Sequence, residues 1–130
     1  MGKTDINSRK DIHSLVYTFY EKIKIDTTLG PIFIRAIQDW PTHIEHLTDF
    51  WQSQLLFNKR FRGNPAEAHI KVDKNENHSI SSEHFGLWLN LWFATIDDLF
   101  EGEIAERAKR NARKMNTQLF LKIWEARQKT

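Results

Sequence analysis

Ile12, Leu15, Val16, Phe19 and Ile23 recur at steps of three and four, and spacing of that kind returns in nearly every segment of the chain. Residues so placed share one face of a helix, whereas a half-buried strand needs strict alternation. No stretch alternates long enough to suggest a strand, and no internal repeat or low-complexity linker interrupts the pattern. The core therefore has to be built from amphipathic helices alone, so the expected fold class is all-α.

Local signals divide the pattern into helices of uneven length. Ser8, with Asp11 in the first turn, is a capping-box-like start for the first helix. The chain breaks near Gly30-Pro31, and "PIFIRAI" reads as a short helix with Pro31 in its first turn. A third helix is expected from Trp40-Pro41 to about Phe57. After the polar break "NKRFRGNP", the segment "PAEAHI" reads as another short helix, followed by a polar loop "KVDKNENHS". Ser81 and Glu83 open a long helix through Leu99, with Phe85, Trp88, Leu91, Trp92 and Thr95 on one side. Beyond Gly102, a last helix carries the stripe Ile104, Ala108, Met115, Leu119 and Ile123. Short helices among long ones fit a simple four-helix bundle poorly.

Composition narrows the function. A chain of 130 residues suits one domain spanning residues 1–130, and its nine Phe and five Trp suffice for a sizeable core. The absence of cysteine excludes a disulfide scaffold, a thiolate nucleophile, a Cys-type zinc site and haem attached through C-x-x-C-H. A cytoplasmic location is expected, since a disulfide-free chain suits a reducing compartment and the start lacks the apolar core of a signal peptide. No apolar run reaches the roughly 18–20 residues of a membrane span. A net charge of +2 does not call for nucleic acid or a membrane as partner. The basic run from Arg107 to Lys114 flanks an apolar stripe and reads as a solvated helix face.

The stretch "WPTHIEHLTDFW" holds two histidines on one helix. Each residue turns an α-helix by about 100°, so with Leu47 at the centre of a face, His43 falls about 40° off it and His46 about 100° off. Trp40, Ile44, Phe50, Trp51 and Leu55 share the arc that contains His43. His43 thus points where the apolar face points, and His46 looks towards water. A metal held by both rings needs further ligands, and Glu45 projects from the other side of the helix. A core-edge His43 bonded to a carbonyl is the plainer alternative.

The segments "TFYEKIKID", "LGPIF", "WPTHIEHLTDFW", "FRGNPAEAHI" and "HFGLWLNLWF" resemble the group III truncated haemoglobins in content, order and spacing, over roughly Asp11 to Leu121. The resemblance implies a truncated globin fold, a two-over-two helical sandwich around one haem b. It implies His69 as the proximal iron ligand and Tyr20, His43 and Trp88 as the distal polar groups, with His43 either turned inward or acting as a swinging gate. The other internal candidates for an axial ligand are few, because Met115 is the one methionine beyond the first residue. Phe33, Leu47, Phe50, Trp51 and Met115 match haem-facing or near-haem positions, with ordinary core the equal alternative for each, and Arg60 or Arg62 is placed to meet a propionate. The polar "KVDKNENHS" departs from the apolar and proline-containing continuation common after the proximal histidine. His78 and His84 carry no role in this pattern.

The function so implied is a penta-coordinate haem protein that binds O2, and NO or CO. Hydrogen-bond donors in an apolar pocket favour retention of a polarised ligand over rapid delivery. That points to O2/NO chemistry or redox work, such as NO dioxygenase or peroxidase-like activity, more than to bulk transport. Turnover would draw on an external reductase or electron donor, and the protein is expected to act as a monomer. A haem-free helical interaction or metal-binding module is the alternative, since amphipathic helices alone do not establish a cofactor.

Overall fold

A computed structural model describes residues 2–57 and 63–129. Within them the regular structure is six α-helices: α1 (Arg9–Ile25), α2 (Leu29–Ala36), α3 (Trp40–Leu55), α4 (Pro65–Asn75), α5 (Ser82–Leu99) and α6 (Glu103–Gln128). There is no strand among the described residues. Helix α1 packs on α3 and on α5, and α6 packs on α5, α4 and α3, so two pairs of long helices lie one over the other. The short helices α2 and α4 attach to this frame through α1 and α6 respectively.

The ends of the helices follow from side chains that satisfy their free backbone groups. Ser8 accepts the Asp11 N–H at 3.2 Å, while the Asp11 carboxylate reaches back to the N–H of Asn7 at 2.9 Å. Asp39 accepts from Thr42 at the start of α3, and Asn64 from Glu67 at the start of α4. At α5 the reciprocal partner of Ser81 is His84, whose Nδ1 accepts the Ser81 N–H at 2.9 Å. Helix α6 has no capping side chain of its own, and Asp5 serves it from far away in sequence. Its carboxylate accepts the N–H groups of Ile104 and Ala105, both at 2.9 Å. Gly102, at φ 145°, must be glycine, because a Cβ there would fall 2.5 Å from Asp5. Gly30 is required too, because a Cβ would meet the Lys24 carbonyl oxygen at 2.5 Å where α2 turns off α1.

The core is centred on α1 and α5. Trp92 is 1% exposed. It stacks on Trp51 (4.6 Å between ring centroids) and on Trp88 (5.7 Å), and meets Phe19 edge-on at 5.0 Å. Its indole N–H donates to the Ala108 carbonyl at 3.2 Å, which ties α5 to α6 through a buried hydrogen bond. Where α6 crosses this core it carries Ala105, Ala108 and Ala112, all buried, and small side chains let the helices approach closely. Ile104, expected in the stripe, is only partly buried, and its neighbour Ala105 takes the inner position.

The segment "KVDKNENHS" is not the loop that its polarity suggests. Helix α4 continues through Asn75, and Asn77 and His78 then turn the chain with positive φ. The reason is Asp73, which is 2% exposed. It receives a two-pronged bond from Arg127 of α6 (2.9 and 2.7 Å), the N–H of Ile80 (3.1 Å) and the His78 ring (3.2 Å). Burial alone would raise the Asp73 carboxyl, but those bonds outweigh it and hold the group below its ordinary range. The stabilisation is present above the unfolded carboxylate pKa and is lost as pH falls through the lower folded value. Asp73→Asn should cost about 3 kcal/mol at neutral pH, since it removes the buried carboxylate charge that receives the Arg127 fork, the Ile80 N–H and the His78 ring. Urea unfolding of variant and parent at pH 7 and in mild acid checks this, with the gap expected to narrow as pH drops.

Candidate functional site

Helices α1, α2, α3, α4, α5 and α6 enclose a cavity of about 540 Å³, within the range usual for small-molecule sites. Tyr20, His43, Leu47, His69, Phe85 and Trp88 all line it. Residues far apart in sequence therefore meet on one surface. Phe33 and Met115 line it as well. Phe50 instead faces an adjoining groove, to which Met115 also contributes. Trp51 lies in the core against Trp92 rather than on the cavity wall. Arg60 and Arg62 lie outside the described residues.

On α4, His69 is set in one tautomer by its own helix. Its Nδ1 lies 2.6 Å from the Pro65 carbonyl oxygen, one turn earlier. A carbonyl only accepts, so Nδ1 carries the proton and Nε2 keeps its lone pair. Solvent reaches the ring through the cavity, yet protein crowds its remaining sides. That burial pushes its pKa down, against the opposing effect of the Pro65 bond, and favours the neutral imidazole. The Phe85 ring lies nearly parallel at 6.5 Å between centroids.

Tyr20, His43 and Trp88 come from α1, α3 and α5 and form one cluster. The Tyr20 and His43 rings meet edge to face at 5.3 Å, and Trp40 meets His43 in the same way at 5.9 Å. The Trp88 indole lies beside Tyr20 on the same cavity. Burial raises the Tyr20 phenol well above its ordinary value, only partly offset by the nearby indole of Trp88, so the hydroxyl keeps its proton and remains a donor. His43 is more unusual. Its Nε2 is buried and has no hydrogen-bond partner among the described residues, a state that costs free energy unless a ligand group meets it. Burial, with smaller contributions from His46 and His69, lowers its pKa to about 4. His46 lies on the exposed side of α3, away from the arc that carries His43.

The donor set suits an iron porphyrin better than a bare ion. Among the described residues no three His, Asp or Glu side chains are grouped as a bare metal ion requires. What the cavity offers is one imidazole lone pair, apolar walls and a separate cluster of hydrogen-bonding groups. Several lining residues had no role in the sequence pattern, His84 and Arg35 among them. His84 lies on the wall because its capping bond to Ser81 folds it back over the start of α5, and Arg35 because α2 turns its last residues towards α4.

The orphaned His43 makes the cavity pH-sensitive. The folded chain holds His43 neutral while the unfolded chain protonates it near 6.5, so between 6.5 and about 4 the unfolded state binds more protons. Stability contributed by the neutral ring is complete above that window and falls as pH drops through it. In chain freed of porphyrin, His43→Leu should flatten the loss of urea resistance between pH 7 and pH 5 relative to the parent. Equal losses in both proteins would contradict the assignment.

No family model matches the chain. It is 28% identical over 106 residues to the group 3 truncated hemoglobin of Campylobacter jejuni, a match covering 78% of this chain and 80% of that protein. Its structure superposes on the crystal structure of the group III truncated hemoglobin from Campylobacter jejuni with a TM-score of 0.83, at 25% identity, covering 94% of this chain and 95% of the other. No helix among the described residues is long and apolar enough to cross a membrane. In sequence and in fold alike, the chain is similar to the group III truncated hemoglobin of Campylobacter jejuni.

Proposed function

We propose that the chain binds haem b through His69 and holds a diatomic gas, O2 above all, beside Tyr20, Trp88 and His43. The observation that carries this reading is the pairing of two features in one cavity. His69 has its Nδ1 proton committed to Pro65, which leaves its Nε2 lone pair available, and the buried Nε2 of His43 has no partner among the described residues. Similarity to proteins named truncated hemoglobins supports it.

A bound haem supplies an iron centre able to take O2, NO or CO. The chain supplies everything else. The bond from His69 to Pro65 fixes the ring's tautomer and restricts its rotation, as an outer partner does for a ligating histidine. Leu47, Phe33, Phe85 and Met115 present apolar surface that keeps water away and lowers the local dielectric constant. Tyr20 keeps its proton and can donate, Trp88 presents a second N–H beside it, and His43 adds an imidazole that stays neutral until the medium is distinctly acid. Donors aimed at a ligand that carries partial negative charge slow its escape. Such a site is built for retention, which favours O2/NO or redox chemistry with an external electron donor over oxygen delivery.

His69→Gly should abolish the Soret spectrum of a histidine-ligated haem, and added imidazole should restore it by filling the space of the lost ring. A variant whose spectrum matches the parent's would overturn the assignment of His69. Tyr20→Phe should speed O2 release about fivefold, the effect of losing one hydrogen bond of about 1 kcal/mol. Stopped-flow displacement of O2 by CO measures it, and an unchanged rate would remove Tyr20 from contact with the ligand.

A further inference from the structure

The charged side chains on the cavity wall are all basic. Arg35 and Lys71 line it, and no Asp or Glu does among the described residues. Both are exposed, so they stand at its solvent rim. His84 lines the same cavity, and because its Nδ1 accepts the Ser81 N–H, the ring proton sits on Nε2 as a donor. Glu76, at the end of α4, draws these groups together. Arg35 places Nε and Nη2 on the Glu76 carboxylate at 3.0 and 2.6 Å, and that bond, with burial opposing and His84 adding least, holds Glu76 below the usual carboxylate range.

Glu76 therefore uses only one edge of the guanidinium. The Nη1 donors of Arg35 and the ammonium of Lys71 take no bond among the described residues. Glu76 is only 14% exposed at its side chain and Arg35 58%, so the carboxylate is the fixed member and the guanidinium the one it orients. A wall that is apolar inside and cationic at its rim, with no lining carboxylate, matches a planar apolar molecule with acidic groups on one edge.

We infer that Arg35, with Lys71 and His84, is the carboxylate-recognising rim of the cofactor site: it takes the propionates of haem and fixes which edge of the porphyrin faces solvent. This rests on the haem reading above and assigns to α2, α4 and the start of α5 a task that sequence spacing gives to Arg62. Glu76 is a positioning residue, presenting the free Nη1 edge of Arg35 to the propionate. The fork geometry of arginine suits a carboxylate, and such charge-assisted bonds exceed neutral ones in strength.

The test is transfer of porphyrin to an excess of acceptor apoglobin, followed by absorbance. The parent, Arg35→Ala, Arg35→Gln and Glu76→Gln are each loaded with haem or with its dimethyl ester, which lacks the two charges. Arg35→Ala should lose haem about tenfold faster than the parent, yet lose the ester within about twofold of the parent's rate. Arg35→Gln, with its longer side chain to keep the packing, should behave in the same way. Glu76→Gln should lose haem faster than the parent but clearly more slowly than Arg35→Ala, because Arg35 keeps its charge and loses only the partner that orients it, and it should lose the ester at the parent's rate. Unchanged haem loss in both Arg35 variants, equal acceleration with the ester, or the same acceleration in Glu76→Gln would overturn the proposal. The last result would leave Arg35 as only a tie between α2 and α4. A parent that retains haem but ignores Arg35 refutes the rim alone, whereas a parent that takes up neither porphyrin refutes the haem reading and the rim with it.

Discussion

The stack of Trp51, Trp92 and Trp88, with Phe19 set edge-on against the last two, is the contact on which the rest of the structure depends. It joins α1, α3 and α5, and the buried bond from Trp92 to Ala108 adds α6. Burying three indoles and a phenyl ring contributes several kcal/mol of hydrophobic stabilisation, on the order of 2–3 kcal/mol for each ring. The same stack has a functional end. Trp88 belongs at once to the core, through Trp92 and Phe19, and to the cavity wall, where it lies beside Tyr20. The donor cluster is thus an extension of the core rather than a set of loop side chains, which is how it stays ordered beside an unpaired His43 nitrogen.

The other side of the cavity is secured differently. Helix α4 buries little of itself: Asp73 is its one fully buried residue. Its partly buried Ile70 and Val72 pack on Ile32, Ile80 and Ile123, and polar ties from Asp73 to Arg127 and from Glu76 to Arg35 add to that, with His69 bonded within the helix to Pro65. An apolar frame therefore holds the donor groups, and charged ties help to hold the helix that carries His69. The two halves should respond differently to conditions. Acid loosens the ties by protonating Asp73 and Glu76, both of which sit below their ordinary range when folded, while the aromatic stack has no titrating group.

Much of this was legible in the amino-acid order, and what escaped shares a physical cause. Helical periodicity marks α1, α3, α5 and α6, and the turn of α3 alone separates His43 from His46. The resemblance to truncated haemoglobins picks out Tyr20, His43, His69 and Trp88, which the fold brings into one cavity. Trp51 takes the core position that its place on the helix left open beside a haem-facing one, because a helical arc does not distinguish a core-facing from a cavity-facing aromatic. The helix through Asn75 was hidden because its sequence is polar, and the group that stabilises it, Arg127, lies at the far end of the chain. Asp5 capping α6 and Glu76 orienting Arg35 were invisible for the same reason. Long-range polar pairs leave no local pattern, whereas apolar faces do.

The central claim is that this cavity, and not some other surface, is the haem site. Titrating the chain with iron protoporphyrin while recording the Soret band and tryptophan fluorescence tests it most directly. Trp88 lines the cavity and Trp51 and Trp92 stack behind it, so the fluorescence should be quenched in step with the rise of a sharp Soret band. Both signals should reach their end point at one equivalent of porphyrin. A broad band of unligated porphyrin that grows without an end point, or a Soret band that saturates while the tryptophans stay bright, would contradict it.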